Sequence, residues 1–276
     1  MPDAASVSIV PERTADPAEA ADLVARDGAA ILTGWATDEA AARAVATEVL
    51  RERALAVADP AAVVEGGEKD RSAIGSDEIL GLHTDGFGYG DQLCDFMALV
   101  CVRAGSAGGA SFLIDGYGLL ESIDPDLRAF LHDTPVDLTE EGMRPALSPV
   151  ALRTTSGRVA VRRTPFMNPD PAASGAELQR QQRMLDAWRE TTRPLSHEAT
   201  RFSAAPGEVI CVDNFRVLHG RDPFEGQRFM WRVWAWTTEG NGVPDGLLHS
   251  DTRYAALDGT GGDGEVAKTR PPTQLA

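Results

Sequence analysis

Two short segments, far apart in the chain, contain residue types that can bind one metal ion. They are Leu82-His83-Thr84-Asp85-Gly86 and Val217-Leu218-His219-Gly220-Arg221. Two imidazoles and one carboxylate form the ligand set that holds non-haem Fe(II) and leaves other coordination positions open. On an extended segment, residues i and i+2 point to the same side, so His83 and Asp85 can bind one ion together. A His-X-Asp spacing alone arises by chance in many chains, so the surrounding sequence decides its meaning.

A strand is predicted downstream of the second histidine, over residues 227–234, from its aromatic and β-branched content. Arg228 and Arg232 are four residues apart, so a period of two places them on one face with Met230 and Trp234. Guanidinium groups on the apolar face of a core strand need partners, because unpaired buried charge is costly. The planar fork of arginine suits carboxylates. A small dicarboxylate cosubstrate would therefore satisfy at least one of these arginines.

Taken in order, these motifs resemble the Fe(II)/2-oxoglutarate oxygenases of the taurine dioxygenase and γ-butyrobetaine hydroxylase type. The resemblance covers roughly residues 60–240. It rests on His83-Thr84-Asp85, on Ala107-Gly108-Gly109-Ala110-Ser111, on the block 212–221 and on Arg228, with a Thr134-Pro135-Val136-Asp137 turn similar to one in the butyrobetaine branch. No single motif decides the assignment, but the ordered set makes a chance match improbable.

The resemblance implies a role for each matching residue. His83, Asp85 and His219 would ligate Fe(II) and leave three positions for 2-oxoglutarate and O2. Arg228 matches the arginine that holds the far carboxylate of 2-oxoglutarate, and Ser111 falls where the taurine enzymes carry a threonine bound to that carboxylate. Related halogenases replace the metal-binding carboxylate with a small residue, so the retained Asp85 implies hydroxylation or another oxidation begun by hydrogen abstraction.

Arg232 is assigned to cofactor binding, with three roles left open. It could support the cosubstrate, meet an anionic substrate, or pair with a core carboxylate. Arg162 and Arg163 are further candidates for contact with an anionic substrate. The resemblance implies a small, polar, charged metabolite. The nine Phe, five Trp and three Tyr are mostly expected in the core, so no aromatic cage for a quaternary ammonium is evident and an anion is favoured.

The composition excludes some classes of partner. The 276 residues carry a formal net charge of −16, from 42 acidic and 26 basic residues. This charge argues against nucleic acid and against an anionic membrane surface, and no run approaches the ~20 apolar residues of a membrane span. The partner expected is a small-molecule substrate, and a homo-oligomer is left open. Three scattered cysteines in apolar runs and an N-terminus without signal-peptide features predict a cytoplasmic protein.

Hydrophobic patterning predicts many short strands with a few helices. We expect a flexible N-terminus at residues 1–15, a single oxygenase domain at 16–254 and a flexible, Gly-rich tail at 255–276. Helices are predicted over 17–27, 39–55, 116–122, 125–132 and 177–191, strands over 29–33, 96–102, 111–115, 159–162 and 209–212, and irregular segments over 57–80, 139–158 and 165–175. Substrate-selecting lids are expected at 57–80 and 139–180.

The fold class predicted is mainly β with flanking helices, a β-barrel-like core that the resemblance narrows to a double-stranded β-helix, or jelly roll. Two other functions stay open. A zinc-dependent hydrolase could use the same His-Asp-His set, but it would not need Arg228 and Ser111. A non-catalytic jelly-roll binding protein could keep the fold, but it would have no reason to keep every metal ligand and the carboxylate anchor.

Overall fold

The computed structural model describes residues 3–65, 78–139 and 145–251. The helices are α1 Ala4–Val7, α2 Pro17–Asp27, α3 Glu39–Leu50, α4 Gly116–Ser122, α5 Pro125–Asp133 and α6 Gly175–Glu198, with 3-10 turns at Arg51–Arg53 and Phe87–Gln92. The strands are β1 Ser8–Ile9, β2 Glu12–Thr14, β3 Ala29–Leu32, β4 Ala54–Val57, β5 Ala61–Glu65, β6 Leu80–His83, β7 Phe96–Arg103, β8 Ala107–Gly108, β9 Ser111–Asp115, β10 Val136–Asp137, β11 Leu147–Ser148, β12 Ala151–Arg153, β13 Val159–Val161, β14 Arg201–Phe202, β15 Val209–Asp213, β16 Val217–Arg221, β17 Phe224–Glu225 and β18 Arg228–Thr237.

Most of the longer strands belong to two sheets. The major sheet has the order β2-β3-β15-β7-β18-β4, with β5 also paired to β18. The minor sheet has the order β1-β9-β16-β6, with β14 also paired to β9. From β5 to β9, and again from β14 to β18, the strands of these two sheets alternate between the sheets along the chain. The fold is the expected mainly β double-stranded β-helix with flanking helices. The described strands do not close into a barrel.

The core lies in three layers of apolar contacts. Between the sheets, Met97 and Trp234 of the major sheet pack with Leu113 and Val217 of the minor sheet. The outer face of the major sheet packs against α2 and α3, and the outer face of the minor sheet packs against α4, α5 and α6. Because successive strand residues face opposite sides, each sheet can fill two of these layers. No helix in the described parts of the chain combines the length and apolar character that crossing a membrane requires.

Helices α2 to α5 begin where the sequence predicts, but they do not all end there. Asp16 caps α2 through a 2.9 Å hydrogen bond from the Ala18 backbone N–H, and Gly28 ends this helix with a φ of 89°. The prediction that α3 runs to residue 55 is wrong, since the helix ends at Leu50 and β4 pairs with β18. Interstrand hydrogen bonds at the sheet edge override the helical propensity of the local alanines.

Residues 4–14 correct the expected flexible N-terminus. Strand β1 pairs with β9 at the edge of the minor sheet, and β2 runs parallel to β3 at the edge of the major sheet. These short strands carry no strong periodicity of their own, and only their pairing with distant edges orders them. The predicted tail at 255–276 lies outside the described residues.

The two expected lids contain more regular structure than predicted. Strand β5 occupies 61–65, inside the segment interpreted as a loop, and residues 66–77 lie outside the description. In the second lid, β12 and β13 form a hairpin, residues 140–144 are not described, and α6 is longer than predicted at both ends. Strand β5 forms because it completes the hydrogen bonding of β18.

Candidate metal centre

Neighbouring strands of the minor sheet bring the two predicted metal-binding histidines together. His83 is the last residue of β6, His219 is the central residue of β16, and the two are register partners. Their ring centroids lie 4.2 Å apart. Directly opposed residues of an antiparallel pair carry side chains on the same face. The pairing of β6 with β16 therefore joins residues that are 136 positions apart (219 − 83).

Asp85 completes the predicted group. Its Oδ1 lies 3.7 Å from His83 Nε2 and 3.9 Å from His219 Nε2. One ligand atom from each of the three residues lies within 4.8 Å of the others, and within the described ranges no other group of three such donors occurs. Thr84 faces away, as the alternation predicts, and its backbone N–H donates to Arg163 O at 2.9 Å. Two imidazoles and one carboxylate brought together in this way match the ligand set that holds non-haem Fe(II).

Asn214 holds the backbone of the aspartate ligand in place. The Asp85 N–H donates to Asn214 Oδ1 at 3.1 Å, and Asn214 Nδ2 donates to Asp85 O at 3.0 Å and to Cys94 O at 2.8 Å. The Asn214 side chain is completely buried. The contact with a metal ligand 129 positions away could not be predicted from local pattern.

The Asp85 carboxylate has different partners on its two oxygens. Trp234 Nε1 donates to Asp85 Oδ2 at 3.0 Å, and Nη1 of Arg232 lies 3.3 Å from the same oxygen. Burial alone would raise the pKa of Asp85, but Arg232 and the two imidazoles lower it to about 2. The carboxylate is therefore ionised at neutral pH, and its Oδ1 faces the two histidines.

Arg232 adopts one of the three roles left open by the sequence. Its Nη1 pairs with Asp85, its Nε donates to Ser250 O at 2.8 Å, and its guanidinium lies 4.7 Å from the centroid of the Trp234 ring. The pairing with a core carboxylate is thus the one observed. Ser250 also accepts the Trp234 backbone N–H at 3.0 Å. This residue, outside every predicted element, positions both partners of the aspartate.

Both histidines are suited to coordinating a metal in the neutral form. His83 Nδ1 lies 3.0 Å from Gly81 O, which assigns the proton to Nδ1 and leaves the Nε2 lone pair facing Asp85. Burial lowers the pKa of His83, and burial together with the neighbouring His83 imidazole, which disfavours a second proton in the pair, lowers the pKa of His219 to about 3. His219 Nδ1 is a buried polar atom without a hydrogen bond among the described residues. Neutral imidazoles around an ionised carboxylate fit a divalent cation.

The predicted cosubstrate residues begin two strands close to the β8–β9 turn. Arg228 is the first residue of β18 and Ser111 the first residue of β9, and each is 7% exposed. A Cβ built on Gly109 would lie 3.9 Å from Arg228 Cδ, so the turn packs directly on the arginine. Ser111 is the register partner of Arg221, two residues after His219 in β16. Both candidates are thus buried. Ser111 lies on β9, which pairs with the His219 strand β16, and Arg228 begins β18, which comes after β16 and β17 in the chain.

Comparison with known proteins agrees with this geometry. A family model described as "Taurine catabolism dioxygenase TauD, TfdA family" matches residues 7–234. A taurine dioxygenase from Burkholderia xenovorans is similar in structure, with a TM-score of 0.63, 17% identity, and coverage of 91% of this chain and 97% of that one. No curated protein matches the chain by sequence.

Two further similar structures contain ligands. AAD-2 in complex with Mn(II) and N-oxalylglycine has a TM-score of 0.61 and 14% identity, over 84% of this chain and 93% of that chain. An asparagine oxygenase in complex with Fe(II), 2S,3S-3-hydroxyasparagine and succinate has a TM-score of 0.59 and 18% identity, over 86% of this chain and 84% of that chain. At these identities the likeness concerns the fold.

Proposed function

Because the chain belongs to the TauD/TfdA family of dioxygenases, we propose that His83, Asp85 and His219 bind its Fe(II). The chain is an Fe(II)- and 2-oxoglutarate-dependent oxygenase that uses O2 and acts on a small molecule. The observation that carries the residue assignment is the convergence of three donor side chains within 4.8 Å. The similarity to γ-butyrobetaine hydroxylase stays a prediction.

When bound, Fe(II) and 2-oxoglutarate together reduce O2, releasing succinate and CO2 and inserting one oxygen atom into a substrate C–H bond. Asp85 supplies the one negative charge of the ligand set, and Trp234 and Arg232 orient its carboxylate so that Oδ1 faces the metal position. Hydrogen bonds of this kind, made to a metal ligand, fix its geometry and tune its affinity. We propose hydroxylation as the outcome, because Asp85 is retained.

We propose that Arg228 and Ser111 bind the far carboxylate of 2-oxoglutarate. Arg228 is 7% exposed at the start of β18, where a guanidinium can offer two parallel N–H donors to one carboxylate. Ser111 offers a hydroxyl from the neighbouring sheet. Arg232 is four residues from Arg228 and pairs with Asp85, so its support of the cosubstrate is indirect.

The primary substrate proposed is a small polar metabolite with an anionic group. The Trp234 ring, whose Nε1 donates to Asp85, is not part of an open cage with its aromatic neighbours, since Tyr89 meets the Trp234 and Trp236 rings edge-on at 6.1 and 5.1 Å. A quaternary ammonium would need an accessible aromatic face.

We propose the cytoplasm as the location of the protein. Buried free thiols at Cys94, Cys101 and Cys211 agree with such a reducing compartment.

The test of the function is consumption of 2-oxoglutarate by the purified chain. Supplied with Fe(II) and O2, the protein is expected to form succinate and CO2, and a panel of small anionic metabolites should include one that accelerates this reaction and gains one oxygen atom in mass. A zinc hydrolase would keep its activity when O2 is excluded. A binding protein would form no succinate under any condition.

A further inference from the structure

A segment of the chain beyond β18, which we call the C-terminal strap, packs beside the metal centre. It comprises residues 241–251 and lies outside residues 7–234, which the family model matches. Val243 and Leu248 pack against the apolar layer between the sheets, and Ser250 is completely buried. The strap is therefore part of the packed structure around the site, although it belongs to no helix or strand named above.

Two neighbouring parts of the structure hold the strap in place. At the edge of the major sheet, the Asp59 N–H donates to Leu248 O at 3.0 Å, and the Ser250 N–H donates to Asp59 O at 2.9 Å. In the 3-10 turn that follows the aspartate ligand, the Tyr89 hydroxyl donates to His249 O and accepts the His249 N–H, each at 2.9 Å. The strap therefore connects the sheet edge with a turn that follows a metal ligand.

The backbone carbonyl of Ser250 holds Arg232 without neutralising it. Arg232 Nε donates to Ser250 O at 2.8 Å, while its Nη1 lies 3.3 Å from Asp85 Oδ2. A carbonyl oxygen has no formal charge, so the positive charge of the guanidinium stays available to the carboxylate. Docking of the strap therefore fixes the direction in which Arg232 presents its charge to the aspartate ligand.

The hydroxyl of Ser250 completes the hydrogen bonding of β18 at a gap in the sheet. Strand β5 pairs with β18 as far as Arg232, and β4 pairs with it from Ala235 onward. Between these two stretches, the Trp234 N–H donates to Ser250 Oγ at 3.0 Å. Trp234 is 1% exposed, and a buried N–H without an acceptor is costly. Ser250 therefore stabilises the residue whose indole N–H donates to Asp85.

We propose that Tyr89 and Ser250 are positioning residues of the metal centre. Tyr89 docks the strap through its two hydrogen bonds to the strap backbone. The docked Ser250 holds Arg232 and Trp234 against one oxygen of the aspartate ligand, so that the other oxygen faces the metal position. Neither Tyr89 nor Ser250 belongs to the group of metal donors, so each acts through the partners of the aspartate. The inference rests on the proposed function, because it concerns the metal affinity of the same three ligands.

The experiment titrates Co(II) into the metal-free full chain in the absence of 2-oxoglutarate. Co(II) binds the donors that Fe(II) binds and resists oxidation by air, and its visible absorption reports both affinity and coordination geometry. Tyr89→Phe and Ser250→Ala are compared with two matched controls, Tyr117→Phe and Ser148→Ala. Tyr117 is also a half-buried tyrosine whose hydroxyl donates to a backbone carbonyl, that of Val159, at 2.8 Å. Ser148 is a buried serine whose Oγ has no hydrogen bond among the described residues.

The expected result separates positioning from packing. Tyr89→Phe and Ser250→Ala should each raise the Co(II) dissociation constant by about three- to tenfold and alter the visible spectrum, because each loses neutral hydrogen bonds that act through a partner of the ligand. Both controls should change the constant by less than about twofold and leave the spectrum unaltered. In an Arg232→Gln background, Tyr89→Phe should have less than about a twofold effect, because residues that act through one contact are not additive.

Equal Co(II) affinities and spectra in Tyr89→Phe and Tyr117→Phe would overturn the proposal, as would an undiminished effect of Tyr89→Phe in the Arg232→Gln background. If circular dichroism shows that Tyr89→Phe does not fold, Ser250→Ala is compared with Ser148→Ala in its place, and equal affinities there overturn the proposal. A wild type that binds no Co(II) would contradict the proposed function. Normal Co(II) binding by the wild type and by every variant contradicts the positioning role alone.

Discussion

Two polar clusters meet at Asn214, and they differ in how far the protein itself satisfies their charges. In the first, which we call the paired cluster, Arg158 lies 2.6 Å from Asp213 and Arg216 lies 2.6 Å from Asp115. Asp95 of the same cluster accepts the Thr237 N–H at 2.8 Å and lies 3.8 Å from Arg158. Every one of these charges has an opposite charge within the chain.

The metal cluster, formed by His83, Asp85 and His219, is left incomplete by the protein. Two imidazoles face one carboxylate oxygen at 3.7 and 3.9 Å, which is too far for a hydrogen bond and suited to an ion between them. The open groups are the donor atoms of these three side chains, which a metal ion would satisfy.

Whether a charge has a partner within the chain separates structural from functional polar groups more clearly than the presence of a cavity does. A cavity of about 200 Å³ adjoins the paired cluster and is lined in part by Asp95, Arg158, Asp213 and Arg216. These four charges already have partners, so the cavity does not need a ligand to neutralise them. Buried or half-buried charge without a partner is the better indication of function, because it is costly until a ligand arrives.

The largest effect is expected from removing a metal ligand. His219→Ala takes one of three donors from so small a set, so Fe(II) binding and succinate formation should both be lost. Metal content and succinate production measure this, with His197→Ala, an exposed histidine of α6, as the control. Near-normal turnover in His219→Ala would show that another residue binds the iron.

The paired cluster should affect stability rather than turnover. Arg158→Met leaves Asp213 and Asp95 without their common partner, so the free energy of unfolding should fall by about 3 kcal/mol. Urea denaturation measures this change, and the apparent constant for 2-oxoglutarate should stay at its wild-type value. Equal stability with impaired cosubstrate binding would reverse the distinction between the two clusters.

The next effect concerns the orientation of the aspartate ligand. Trp234→Phe keeps an aromatic ring but removes the N–H that donates to Asp85 Oδ2, so Fe(II) affinity should fall by about 10- to 100-fold. Trp236→Phe is the matched control, because its N–H donates to Gln92 O and touches no metal ligand. If both variants weaken iron binding equally, the effect comes from packing and not from the hydrogen bond.

A smaller effect is expected at the cosubstrate. Arg228→Ala should raise the apparent 2-oxoglutarate constant by at least about tenfold, as a charge-assisted carboxylate contact implies. Initial rates of succinate formation at increasing 2-oxoglutarate concentration measure it, and metal content should not change. An unaltered constant would remove Arg228 from the cosubstrate site.

The smallest effect is expected from Ser111→Ala, which removes one neutral hydroxyl from the same carboxylate. The apparent 2-oxoglutarate constant should rise by a factor of about two to five, in line with a single uncharged hydrogen bond. The same rate measurements apply. A larger loss than in Arg228→Ala would make the serine, and not the arginine, the main anchor.

The sequence by itself predicted the metal ligands, the arginine strand and the mainly β architecture. Each of these begins from a local pattern, and the resemblance of the ordered motifs to a known family supplied the rest, including the role of His219. His83 and Asp85 have the spacing of an extended segment, and Arg228, Arg232 and Trp234 share the period of a strand. Such patterns are visible in one short window, because backbone geometry alone sets the direction of neighbouring side chains.

Only the tertiary structure decided which groups are satisfied and which stay open. The register of β6 against β16 places His83 opposite His219, and Asn214 reaches the Asp85 backbone. Arg232 pairs with the aspartate, whereas Arg163 has no carboxylate partner among the described residues. The edge strands β1 and β5, missed by the sequence analysis, depend on pairing in the same way. Contacts between residues more than a hundred positions apart depend on the relative placement of whole strands, which no local pattern encodes.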